Sequence, residues 1–234
     1  MKKMIFLTLV LSSTTLVAKE FYQAKIVLQD DGIIVCFATL PNNKKLNKSV
    51  VCKSNLNNKE TFKIENDQIK TIFITTNKGK QYTFERNKLY IIKEKKGEIY
   101  SQESKKTTWQ AMVFYDDEIQ VYYTADFYII DVETDALIPV NTTSFISINY
   151  ISVDTSSSTK ISYKRKQENA PTYIIDRLPS LNGMATRKYS EIFKANVIEY
   201  FRNDLNFVEI IEDKDIKYTD YIELVWDYIE YKQQ

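Results

Sequence analysis

The hydrophobic pattern of this chain changes period once, at Pro179, and that change constrains the fold more than any other feature. Before it, apolar residues come in short runs between polar turns. In one of these runs Tyr82 and Phe84 alternate with Thr83 and Glu85, the two-residue period of a strand with one wet face. After it, Tyr189, Phe193, Val197 and Tyr200 recur at steps of four, four and three, which is one face of a helix. Strands first and helices last predict an α+β chain, mainly β, rather than an alternating α/β one. The expected units are a β-rich region over 19–178 and a helical segment over 179–234 that packs on it.

Within the first unit, runs at 24–28 and 33–39 flank Gln29-Asp30-Asp31-Gly32, and Asp-Gly is a strong hairpin signal. Runs at 49–53, 61–65, 71–76, 81–85 and 89–93 follow, with turns at Asn77-Lys78-Gly79 and Lys95-Lys96-Gly97. From Thr107 the pattern grows more apolar, and a Ser/Thr-rich loop at 153–159 precedes strands at 160–164 and 171–175. Seventeen Tyr and twelve Phe, with many branched residues, suit pleated surfaces. The spacing predicts an antiparallel meander, bent sandwich or small barrel. Residues 97–106 are either a boundary inside it or part of a long hairpin. In the second unit two or three helices are expected. Asp204 is placed to cap one carrying Val208 and Ile211, and Thr219 to cap another carrying Tyr221, Val225 and Tyr228.

Residues 1–18 read as a secretory signal peptide. Lys2 and Lys3 form a basic start, an apolar run covers 4–10, and Leu16-Val17-Ala18 offers a cleavage site. The run is shorter than the roughly 20 apolar residues of a spanning helix. Export to a periplasmic or extracellular location is therefore expected, with no transmembrane segment in the mature chain.

That location sharpens the other features. Removing Lys2 and Lys3 leaves 30 basic against 31 acidic residues, a balance that gives no reason to expect nucleic acid. The chain has no His, so His-based triads and His-based zinc sites are excluded. Four Gly leave no Gly-rich phosphate loop, and no motif calls for a cofactor. Cys36 and Cys52 form an even pair that, in an oxidising compartment, is a disulfide candidate closing a loop of roughly 15 residues, worth about 3 kcal/mol. The same pair reads equally as two small buried thiols.

Candidate sites are few. Asp131, Glu133 and Asp135 alternate, so an extended backbone would present all three to a hard cation such as Ca²⁺. The segment also sits where a hairpin should turn, and it lacks the Gly and distal Glu of an EF-hand loop. Asp116-Asp117-Glu118 reads as solvated turn residues. Ser157 and Lys160 make a nominal Ser-x-x-Lys in a loop that suggests no helix to join them. Charge is uneven. Residues 41–106 hold 16 Lys+Arg against 7 Asp+Glu, and residues 197–234 hold 4 against 10. Such a basic stretch either keeps edge strands soluble or faces an anionic surface.

The order of segments resembles an uncharacterised family of exported Bacteroidetes proteins. The resemblance lies in the strand-Asp-Gly-strand hairpin at 25–39, in Trp109-Gln110-Ala111-Met112-Val113-Phe114-Tyr115 with Val121-Tyr122-Tyr123, and in a tail with Tyr200-Phe201, Asp204 and Lys217-Tyr218-Thr219-Asp220. It implies location and architecture and brings no catalytic residue. The leading expectation is a non-catalytic envelope protein that binds another protein or an envelope polymer, since Tyr suits contact surfaces. A His-free hydrolase of saccharide or peptide using carboxylates or Ser/Lys is the alternative, and a Ca²⁺-stabilised module the third. Oligomeric state is open.

Overall fold

The computed structural model describes residues 20–44, 48–95, 98–141, 144–147, 150–153, 159–177 and 183–234. The expected signal segment and Ser157 lie outside them. Sixteen strands precede the helices. They are β1 (Tyr22–Leu28), β2 (Ile33–Ala38), β3 (Ser49–Lys53), β4 (Phe62–Glu65), β5 (Ile69–Thr75), β6 (Gln81–Asn87), β7 (Tyr90–Lys95), β8 (Glu98–Glu103), β9 (Thr108–Tyr115), β10 (Ile119–Thr124), β11 (Phe127–Ile130), β12 (Leu137–Val140), β13 (Ser144–Ser147), β14 (Tyr150–Val153), β15 (Thr159–Arg165) and β16 (Thr172–Arg177). Helices α1 (Gly183–Tyr200), α2 (Leu205–Asp213) and α3 (Glu223–Gln233) follow, so the chain is α+β and mainly β. Among the described residues, no helix is long and apolar enough to cross a membrane.

Twelve strands form one sheet in the order β4-β3-β2-β1-β5-β6-β9-β10-β15-β16-β7-β8. The β7–β8 hairpin breaks the expected meander. It leaves the chain between β6 and β9, which pair with each other, and attaches at the far edge by a short parallel contact of Tyr90 and Ile91 with β16. Residues 98–103 are thus the second strand of a hairpin.

Register explains the core. Ile34, Ile26, Ile72, Phe84, Ala111, Tyr123, Ile161 and Ile175 pair in succession across eight strands. Paired residues share a face, so one sheet face carries the whole row. In the N-terminal half that face is buried with Trp109, Cys36, Cys52 and Val50, and the β11–β12 hairpin contributes Tyr128 and Ile130 to the same cluster. In the C-terminal half the helices cover it. Phe193, Val197 and Tyr200 of α1 are buried there with Phe207, Ile211, Val225 and Tyr228. The ring centroids of Phe201, Phe207 and Tyr228 lie 4.7–5.0 Å apart, the edge and tilted packing that aromatic rings favour.

The helix stripes dock as expected, but the caps differ. Asp204 precedes α2 without capping it. Its carboxylate instead accepts hydrogen bonds from Tyr231 (2.7 Å) and Lys232 (2.9 Å) of α3. Thr219 lies in a short 3₁₀ turn, where its hydroxyl donates to Asp220, and Ile222 precedes α3.

Candidate functional site

The sequence-derived candidates sit in local structural contacts. Residues 132–134 turn, so Asp131, Glu133 and Asp135 do not alternate across a strand. Asp131 Oδ1 accepts the backbone N–H groups of Glu133 (3.1 Å) and Thr134 (2.7 Å) and the Thr134 hydroxyl (2.7 Å). The Thr134 hydroxyl leads in holding its carboxyl below the ordinary range. Asp135 is buried with a left-handed backbone (φ 58°), a conformation Asp tolerates. Its carboxylate accepts the Thr76 hydroxyl, and its carbonyl accepts Tyr82 Oη–H at 2.6 Å. The segment therefore clamps the β11–β12 turn to the β5–β6 hairpin. Among the described residues, no three metal-ligating side chains converge.

Cys36 and Cys52 are free thiols, both buried. The register opposes Ala38 to Cys52, so Cys36 is its diagonal neighbour on the same face. Diagonal Cα separations of about 7–8 Å exceed the usual bridging range. The neighbouring Cys36 thiol, together with burial, holds Cys52 well above its ordinary pKa. Asp116-Asp117-Glu118 is a turn, with Asp116 Oδ1 accepting Glu118 N–H at 2.9 Å. Lys160 is exposed on β15 opposite Thr124 and Asp176. Among the described residues eight tyrosines are buried, and Tyr100 and Tyr115 are the tyrosines among the exposed large side chains.

The cavity around Arg165 is likewise satisfied from within. The guanidinium donates twice to Glu168 Oε1, at 2.9 and 2.8 Å, and Tyr200 Oη–H donates to Glu168 Oε2 at 2.6 Å. The guanidinium also lies 4.8 Å from the Tyr200 ring centre, a cation–π distance. The other charged residues described in its lining, Glu199 and Arg202, pair with each other at 2.6 Å.

A different cleft has its charges unspent. The ends of β4, β5, β6 and β9 meet at one rim of the curled N-terminal half. Lys48 enters β3 there, and the Asn66 N–H donates to its carbonyl at 2.7 Å. Strand β4 stands six places from β9 in the sheet order, yet its Glu65, with Lys48 just before β3, lines the same cleft as Trp109, so the sheet curls back on itself at this rim. Asn43 fastens the closure. Its side chain accepts the Trp109 N–H (2.7 Å) and donates to the carbonyls of Trp109 (2.9 Å) and Ala125 (2.7 Å). The cleft encloses about 620 Å³ between Lys48, Glu65, Asp67, Arg86, Lys106 and Thr108.

Its electrostatics are unbalanced in a specific way. Among the described residues, the side chains of Lys48, Arg86 and Lys106 form no ion pair or hydrogen bond. Arg86 is half-buried, and burial lowers its pKa despite the nearby charge of Asp67. Two neighbouring polar atoms, Thr108 Oγ1 and Trp109 Nε1, are buried without a hydrogen-bond partner. Burial penalises the Arg86 charge, and negative charge beyond that of Asp67 would offset the penalty. Past Asp67 the rim opens into a second hollow of about 630 Å³, lined by Gln29, Ile34, Phe62 and Lys63.

Pairing of β6 with β9 sets Arg86 beside Trp109, and sheet closure brings Lys48, Glu65 and Asp67 to them. The basic excess over 41–106 was the one sequence signal pointing here, since Lys48, Arg86 and Lys106 all belong to it. No protein-family model, curated protein or solved structure matches the chain.

Proposed function

We propose that this chain is an exported, non-catalytic binding protein of the cell envelope, and that the rim cleft receives an anionic group of an envelope polymer or another protein. The observation that carries the reading is the convergence of Lys48, Arg86 and Lys106, unpaired, in one cleft. The signal-like residues 1–18 supply the location, and the resemblance to exported proteins agrees with it. Rims of closed or curled sheets are common ligand sites because loops and strand ends converge there on a rigid wall.

A ligand that binds the folded state raises the melting temperature. Thermal melts with polygalacturonate, polyglutamate and polyphosphate test the reading. At least one should stabilise the wild-type protein, and the gain should disappear in Arg86→Gln. No stabilisation by any of them would defeat it. Within this cleft, the carboxylates that a His-free hydrolase would use are Glu65 and Asp67. Release of reducing ends from polygalacturonate, abolished by Glu65→Gln, would replace the binding reading with that one. Asp176, whose carboxyl burial raises, lines neither this cleft nor the Arg165 cavity.

A further inference from the structure

We infer that the ligand of the rim cleft is an acidic glycan, a polymer with carboxylate or sulfate groups spaced along a hydroxyl-rich chain. The inference rests on the anion-binding reading above and narrows it by the remaining chemistry of the site. Glu65 and Asp67 stand in the same lining as the three cations, and among the described residues their side chains form no ion pair or hydrogen bond. A densely charged polyanion, such as polyphosphate or nucleic acid, would set its charges against both. An acidic sugar carries one negative group among several hydroxyls. The group pairs with the guanidinium of Arg86, and the hydroxyls donate to Glu65 and Asp67.

The second hollow makes the site longer than one sugar. It shares Asp67 with the cleft, so the two adjoin at that residue. Its walls change character, with Phe62 41% exposed beside Ile34. An exposed aromatic face next to hydrogen-bonding groups suits the apolar C–H face of a neutral sugar unit. Lys63 and Gln29 then border the next unit. Together the two hollows fit a segment of several sugars lying along the rim, its charged unit at Arg86.

The test uses a Trp226→Phe form of the whole chain. Trp226 is 51% exposed on α3, and its removal leaves Trp109 as the sole indole reporter. Tetragalacturonate, maltotetraose, tetraglutamate and tetraphosphate are titrated separately, and indole fluorescence is followed. Tetragalacturonate is expected to bind with saturation, and maltotetraose at least ten-fold more weakly. Arg86→Gln should weaken tetragalacturonate about ten-fold, the size of one charge-assisted hydrogen bond. Lys106→Ser, an exposed change that cannot unfold the chain, should weaken it several-fold. Phe62→Ser should weaken tetragalacturonate while leaving monomeric galacturonate unchanged. Saturable binding of tetraglutamate or tetraphosphate without tetragalacturonate would overturn the glycan assignment and leave the anion cleft standing. Equal affinity for the acidic and neutral sugars would overturn the role of Arg86. Absence of any response would overturn both.

Discussion

Asp135 is the residue where local strain and tertiary clamping coincide. Its left-handed backbone excludes β-branched replacements, and its buried carboxylate is committed to the Thr76 hydroxyl. Asp135→Asn keeps an acceptor and a side chain that tolerates the conformation, so it should cost under about 1 kcal/mol. Asp135→Ala loses both and should cost about 2 kcal/mol or more in urea unfolding. Added Ca²⁺ should shift neither curve. Equal losses would mean that the clamp does not depend on the acceptor. The thiols give a second residue-scale expectation. Cys36 and Cys52 are buried and unbridged, so a thiol reagent should find no reactive group in the native protein and two in denaturant. Zero in both would mean that the diagonal pair closes into a disulfide.

At the scale of elements, two carboxylates titrate in opposite senses. Burial opposes the charge of Asp204, but hydrogen bonds from Lys232 and Tyr231 outweigh it and hold its carboxyl below the ordinary range. Its contribution is present above the unfolded-state value of about 3.9 and is lost as pH falls through the lower folded value. Asp204→Asn should therefore loosen the α2–α3 contact near neutral pH by about 1 kcal/mol, limited because Lys232 is partly exposed, and the difference should close in strong acid. Asp176 behaves in reverse, since burial raises its carboxyl despite hydrogen bonding with Tyr173. Its folded form favours the proton, so stability falls as pH rises through its raised value, and Asp176→Asn should be neutral or stabilising at pH 7. Urea unfolding of both variants across pH checks the two signs. Helix faces and most strands were legible because side-chain period is a local property, as with Phe193, Val197 and Tyr200. The caps were not, because Asp204 is claimed by side chains nearly thirty residues away in sequence. The β8 strand was also obscured, since its Glu, Ser and Gln residues lie on an edge that buries little.

Over the whole molecule, one continuous sheet face is buried twice, by its own curl and the β11–β12 hairpin at one end and by three helices at the other. Local pattern could not disclose that the β7–β8 hairpin departs to the far edge, nor that β3 and β4 swing round to approach β9. The candidate site was illegible for the same reason, since it exists only where that closure gathers Lys48, Arg86 and the stretch from Lys106 to Trp109 from three separate segments. The charge excess over 41–106 marked the region without marking the residues. The aromatic excess, which suggested a contact surface, is spent mostly on the two buried clusters. The account stands on the cleft accepting an anionic ligand. The most direct measurement is the indole N–H pair in a nitrogen–proton correlation spectrum, where Trp109 and Trp226 give one signal each. Tetragalacturonate should move the Trp109 signal with saturation and leave Trp226 still, and Arg86→Gln should suppress the movement. A Trp109 signal that stays fixed while the ligand binds elsewhere, or moves equally in Arg86→Gln, would contradict it.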